Sequence, residues 1–251
     1  MWQSIDIRVA NMPQVGNTSL KQADLAASWP GNYLAPWMTR IRATEPLYGE
    51  GEFVLAFGVS GLQVGDLVSI NPSTGATTRT LVATRGIIAV SMAANIDTTA
   101  LSWFQVFGTA NVRCTTAASA GLPLYQSATA GTVLSTVAAT GLVLGMASAS
   151  ATGYALAATK NCNLTSGSIF VNVPNLDGLF VGMTLSGTGV SASQTIAAIG
   201  QGGQYMGVAT PNAGVIQLSA AATATGLNAV TFTATGWALA AIAYPSSVGL
   251  G

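Results

Sequence analysis

The residues able to do chemistry in this chain are few, and their spacing says more about what they cannot do. There is no His, so a Ser-His-Asp or Cys-His nucleophilic site is excluded and the commonest metal ligand is missing. Acid–base carboxylates can come only from Asp6, Asp24, Glu45, Glu50, Glu52, Asp66, Asp97 and Asp177. Glu50 and Glu52 are the nearest pair, and strand alternation would put them on one face; the flanking Gly49 and Gly51 predict a solvated turn instead. Serine–lysine hydrolysis would need Lys21 or Lys160 beside a serine in a dry pocket, and nothing local supports one. Asp177 stands alone where a calcium loop needs several acids within a dozen residues. No Gly-x-x-x-x-Gly-Lys-Ser/Thr phosphate cradle occurs, and Gly200 to Gly203 does not open a helix after a strand. Asn17-Thr-Ser19 and Asn163-Leu-Thr165 match the glycosylation sequon, which has a use only in a secreted chain. The expectation is a protein that is not an enzyme and needs no cofactor or metal.

Composition narrows the class further. The chain has 251 residues, 8 basic and 8 acidic, and half of its residues are hydrophobic. That length supports one or two domains with a real core. A net charge of zero argues against nucleic-acid binding, which needs a basic face to displace phosphate counterions. Its apolar stretches are broken every few residues by Gly, Ser, Thr or Asn, so no membrane span of about 20 apolar residues is expected. Asp6 and Arg8 sit where a signal peptide would carry its apolar core, so no secretory leader is expected. Two cysteines, Cys114 and Cys162, do not make a disulfide framework and fit a reducing compartment as free, partly buried thiols, a bond between the two being the alternative.

The charges are also unevenly placed. Fourteen of the sixteen lie between Asp6 and Arg113; the remaining 138 residues carry only Lys160 and Asp177. Soluble monomers normally intersperse both signs over their surface. The C-terminal half must then expose neutral Ser, Thr, Asn, Gln and Gly, or be covered in an assembly. Both alternatives suit a component of a particle.

The elements that would position such a surface are strands. Short runs rich in Val, Ile, Thr and aromatics recur every 8–12 residues with Gly, Asn or Pro between them, which is the rhythm of a sandwich or small barrel. The expected strands are Phe53 to Phe57, Leu67 to Ile70, Thr77 to Thr84, Gly86 to Met92, Trp103 to Phe107, Asn111 to Thr116, Leu122 to Gln126, Gly131 to Thr136, Leu142 to Ala147 and Tyr154 to Ala158. A second group covers Ser168 to Val173, Val181 to Leu185, Thr195 to Ile199, Val215 to Leu218 and Val230 to Thr233. Two nearly identical octets, Ala151 to Ala158 and Ala234 to Ala241, differ only at Tyr154 and Trp237 and flank the second group. The fold class is therefore all-β, in three parts. Residues 1–45 form an extended N-terminal arm, with a helical turn or two over Ser19 to Ser28. Residues 46–160 plus 236–251 form a β-barrel or sandwich domain, and 161–235 an inserted β-sandwich-like module. Trp29, Tyr33 and Trp37 in the arm are the candidate interface residues, since rings bury large area at low entropic cost; the alternative is that they fold back onto their own core.

Several stretches resemble virion proteins of tailed bacteriophages. They are Gly61-Leu-Gln-Val-Gly-Asp66, Asn71-Pro-Ser-Thr-Gly-Ala-Thr-Thr-Arg79, Trp103-Phe-Gln-Val-Phe-Gly-Thr-Ala110, Ala120-Gly-Leu-Pro-Leu-Tyr125, Ala128 to Val133 and Gly141 to Ala147. Their order, over about residues 46–158, is similar to head decoration (cement) proteins. Leu179 to Gly189, Ile216 to Ala224 and Val230 to Thr233 are similar to a β-module recurrent in phage structural and tail proteins. The aromatic arm is longer than in the simplest decoration proteins. The resemblance implies a capsid-surface protein of the virion, assembled in the host cytoplasm, that clamps junctions of the major capsid protein. It further implies a homo-oligomer, often a trimer at threefold points. A tail or fibre component, or a carbohydrate-binding adhesin stacking sugars on Tyr154, Tyr205 or Trp237, are the alternatives.

Overall fold

The computed structural model describes residues 3–4, 28–30, 38–45, 47–94, 96–135, 141–155, 159–201 and 214–247. It is all-β, with two antiparallel sheets, one of them a curled half-barrel. The chain divides into two compact units: Gly153–Thr235, and Trp2–Thr152 together with Gly236–Gly251. Among the described residues no helix is long and apolar enough to cross a membrane.

The larger unit holds a twelve-stranded sheet. In chain order its strands are β1 (Gln3–Ser4), β2 (Ser28–Pro30), β3 (Arg40–Glu45), β4 (Gly49–Phe57), β5 (Leu67–Ile70), β6 (Thr77–Arg79), β7 (Gly86–Ser91), β8 (Ala100–Arg113), β9 (Pro123–Gln126), β10 (Val133–Leu134) and β11 (Leu142–Ser148), closed by β18 (Trp237–Ser247). The smaller unit supplies β12 (Lys160–Leu164), β13 (Phe170–Val173), β14 (Thr184–Gly187), β15 (Ile196–Gln201), β16 (Gly214–Leu218) and β17 (Gly226–Thr233). Their spatial order is β14-β17-β12-β13-β16-β15.

The unbroken apolar run at Phe53–Phe57 is explained by burial on both faces. Phe53 and Leu55 pack with Ile41, Ala43, Leu101 and Trp103, whereas Val54 and Ala56 pack with Leu62, Val68, Ile70, Phe104 and Val106. A strand covered on one side alternates; one covered on both has no polar face to show. A third cluster, built on Leu67, Ile88, Val112, Leu124, Val143 and Ile242, fills the other part of the unit.

β8 was expected as two strands, Trp103 to Phe107 and Asn111 to Thr116, and is one of 14 residues. Gly108 between them does not turn the chain; it accommodates a bulge. The register with β4 slips between Glu52 and Phe53, and Gly108 has φ +99°. A Cβ there would fall onto the Glu50 carbonyl, so only glycine lets β4 approach. Gln105, 1% exposed, donates Nε2 to the carbonyls of Phe107 and Thr109 at 3.0 Å each, which satisfies the bulged backbone.

Curling follows from a conflict of directions. β7, β8 and β18 pair with one another, each pair antiparallel. Two strands antiparallel to a third run parallel in a flat sheet, so one of these must bend. β18 bends: Trp237–Ala243 pairs with β8, Ser246–Ser247 pairs with β7, and between them Tyr244 takes φ +49° before Pro245.

Strand β3 shows that the residues assigned to the arm include part of the sheet. Ile41 and Ala43 are 2% and 0% exposed while Arg40 and Arg42 face outward, the alternation of a half-buried strand. β12 was likewise not foreseen, because Lys160-Asn-Cys-Asn reads as polar; Cys162 and Leu164 are nonetheless inward. Thr77–Arg79 is shorter than the expected Thr77 to Thr84, since Ala83 at φ +71° ends in a turn.

Candidate interaction surface

Of the three aromatics expected to make contacts, Trp29 lies in β2, where its backbone pairs with Leu101 of β8, antiparallel. Tyr33 and Trp37 lie outside the described residues, as does most of the expected helical turn; Ser28, at its end, is in β2. β1 adds to β3 with Gln3 opposite Thr44 and Ser4 opposite Ala43. Both described pieces of the arm thus hold on by strand addition, in which main-chain hydrogen bonds supply the affinity.

Glu50 and Glu52 stand on β4, a strand and not the solvated turn expected. Glu52 is 6% exposed because β3 delivers two guanidiniums to it: Arg42 is directly opposite, and Arg40 is two residues away on the same face. Arg40 Nη1 donates to Glu52 Oε1 at 3.0 Å, Arg42 Nε to Oε2 at 3.3 Å, and Tyr244 Oη to Oε2 at 2.9 Å. Glu50 stays outside, 3.7 Å from Arg42 Nη1. Glu52 holds the Arg42 guanidinium above its ordinary pKa. Arg40 stacks over the Tyr244 ring at 6.0 Å, and Phe107 lies 5.6 Å from the same ring. With two arginines against two glutamates the patch carries no net charge, and every acid has a cation committed to it. That is a structural clamp with an exposed aromatic.

A second ionic cluster is interior. Asp66, wholly buried, accepts from Arg113 Nη1 at 2.6 Å, Arg79 Nε at 2.8 Å and the Gln63 amide at 2.9 Å. Burial pushes its carboxyl above the usual aspartate range, against the pull of the Gln63 amide and the two guanidiniums. Arg79 also donates Nη2 to the Ala130 carbonyl at 2.7 Å, which ties the end of β6 to the turn at Ala130. Trp237 is engaged nearby: its Nε1 donates to the Val64 carbonyl at 3.1 Å, its Nε1–Cδ1 edge lies against Gly65, and the residue is half-buried. Tyr205 lies outside the described residues, and Tyr154 is half-buried.

The smaller unit has a different surface. Its sheet turns Cys162, Leu164, Val171, Val173, Ile216, Leu218, Val230 and Phe232 inward. By alternation the other face presents Asn163, Phe170, Asn172, Gln217, Leu227 and Ala229, with Phe170 58% and Leu227 50% exposed. No charged side chain stands on that face. Lys160 points inward at 8% exposure, and Asp177 lies in the turn after β13. A concavity of about 550 Å³ on the same unit is lined by Thr184, Ser186, Ser191, Ser193, Thr233 and Thr235 among others, all uncharged. Sequence reasoning located the neutrality of this half but named none of these face residues; the i, i+2 pattern of β13 and β17 was the available signal.

Among the described residues no group of three or more acidic, Cys or His side chains could hold a metal ion. Cys114 and Cys162 are both free. No protein-family model, curated protein or solved structure matches this chain.

Proposed function

We propose that the protein is a structural component of a tailed-bacteriophage particle, a head decoration protein that binds across junctions of the major capsid protein and stabilises the shell as a homo-oligomer. The observation that carries this reading is the uncharged outer face of the six-stranded sheet. A free soluble domain gains colloidal stability from interspersed charge. A face of amides, hydroxyls, Phe170 and Leu227 gives that up, and it suits contacts made many times over in a symmetric assembly, where modest individual affinities multiply. Strand addition by the arm suits the same role, since backbone pairing grips without charge.

The measurement that tests it is the copy number of the protein in purified particles, by quantitative mass spectrometry against the major shell protein. Near-equal copy number is expected of a protein that covers the surface. A few copies per particle would move it to the tail or a vertex, and absence from particles would end the reading.

A further inference from the structure

Lys160 is a nucleophile placed where lysine is rarely found. It opens β12 on the inward side, 8% exposed, on the same face as Cys162 and Leu164, which are 0% exposed. Burying a lysine is costly unless something uses its ammonium, because the charge loses its hydration. Its Nζ is held 2.5 Å from Asn175 Oδ1, closer than an ordinary charge-assisted hydrogen bond.

The contact is built by strand register. Asn163 of β12 faces Asn172 of β13 in an antiparallel pair, so each step back along β12 matches a step forward along β13. Three such steps bring Lys160 opposite Asn175, just past the end of β13 at Val173. Lys160 stands on the inward side, and Asn175, past the end of the strand, is half-buried. Asp177 follows two residues later, in the turn after β13, and it is the only acid between Gly153 and Thr235.

We propose that Lys160 and Asn175 join in an intramolecular isopeptide bond. The neutral Lys160 amine attacks Asn175 Cγ; the Nζ–Cγ amide bond forms, the Cγ–Nδ2 bond breaks, and the side-chain nitrogen leaves as ammonia. Asp177 is the proton carrier: it takes a proton from the Lys160 ammonium to free the amine and passes it to the departing nitrogen, and the second proton, shed by Nζ as the amide forms, leaves on the released ammonia as ammonium. No oxidant, reductant or other co-reactant is needed. Burial of Lys160 favours the first step, since it lowers the cost of neutralising the lysine. The pair is also held at contact distance by the sheet, so the reaction is effectively unimolecular. The product staples β12 to the β13 turn, at the point where the chain enters this sheet.

The test is the intact mass of the full-length protein under denaturing conditions, followed by fragmentation of its proteolytic peptides. The expected result is a mass below that of the sequence by one ammonia, and a branched peptide joining Lys160 to Asn175. Lys160→Arg and Asn175→Ala should each restore the mass expected of the uncrosslinked variant. Asp177→Asn should retain both reacting residues yet leave most molecules uncrosslinked, with Asp177→Glu recovering the bond. Wild-type protein that keeps its full mass after prolonged incubation overturns the proposal, as does a deficit that fragmentation places at another residue. Both of those readings come from the wild-type chain, so they stand even where a variant fails to fold.

Discussion

The Tyr244 hydroxyl donates to Glu52 Oε2 at 2.9 Å, joining two residues 192 positions apart. The bond fixes the bend of β18 against β4. Tyr244 sits at φ +49°, a conformation that non-glycine residues adopt at a cost. The hydroxyl's bond to a nearly buried carboxylate and the ring's contacts with Arg40 and Phe107 offset that cost.

Tyr244→Phe keeps the ring contacts and removes only the bond to Glu52. The bond is to a charged group, but Tyr244 is 50% exposed and water partly replaces it, so a loss of about 1.5 kcal/mol should lower the urea midpoint. Arg40→Ala should cost less, about 1 kcal/mol or under, because the Arg40 side chain is 51% exposed and water replaces the pair. Equal losses in the two variants would mean that the hydroxyl does not organise this corner.

Asp66 predicts a larger effect. Asp66→Ala leaves the guanidiniums of Arg79 and Arg113 facing a buried gap, each only about a fifth to a quarter exposed at the side chain. Breaking a buried pair from one side typically costs about 3–5 kcal/mol. Replacing the three together by Leu, Met and Met should cost less than Asp66→Ala alone, because no unpaired charge is then left inside. Chemical denaturation of the two variants decides it. The sign of the Asp66 titration is also fixed: its folded pKa is raised, so the contribution of its protonation is present below the unfolded value and is lost as pH rises through the folded one. Mild acid should therefore not unfold the protein through Asp66.

Much of the architecture was legible because it is written in periodicity. Phe53–Phe57, Leu67–Ile70 and Leu142–Ala147 read as strands from their own residues, and they are strands. What was hidden depends on partners far along the chain. Arg40–Glu45 alternates, but two arginines and a glutamate disguise it until Glu52 is seen opposite Arg42. Gly108 reads as a break because the need for glycine comes from the Glu50 carbonyl, not from a turn. The twin octets carried a real signal of another kind. The boundary between the units falls at the same Thr–Gly joint in each, Thr152/Gly153 and Thr235/Gly236, and both glycines have positive φ, +79° and +85°. The repeated motif marks the two chain crossings; a second strand is described only in the later copy, as β18, while Ala155 makes an isolated bridge to Thr233. The interaction surface was least legible, since face membership in a sheet needs register as well as composition.

The two thiols give a pH window. Burial pushes Cys162 up to about 12 and raises Cys114 as well. Well below pH 9 both states of the chain keep the Cys162 thiol protonated. Above that the unfolded chain ionises first, so stability present below the unfolded value is lost as pH rises towards about 12. The slope for one proton is about 1.4 kcal/mol per pH unit. Iodoacetamide at pH 8 should label neither cysteine quickly in the folded protein and both after unfolding in urea. Rapid native labelling of Cys162 would show that the inward face of β12 opens readily.

The arm supplies the test closest to function. A deletion that reached residue 45 would remove β3, with Ile41 and Ala43 from the core, and would confuse unfolding with loss of contact. Deleting residues 1–37 removes β1 and β2 and spares β3. It also bares the outer side of β3 and the Ala100–Ser102 segment of β8, where Gln3–Ser4 and Ser28–Pro30 pair. The shortened protein should keep its β circular-dichroism signal and a cooperative unfolding transition, because it retains every residue described in the three core clusters. If the arm grips the shell through Trp29, Tyr33 and Trp37, binding to capsids lacking the wild-type protein should fall at least tenfold, a difference of about 1.4 kcal/mol. Full binding by the folded deletion variant would assign the grip to the uncharged face around Phe170. Phe170→Asp, which places one charge on that face without touching the core, would then be expected to abolish it.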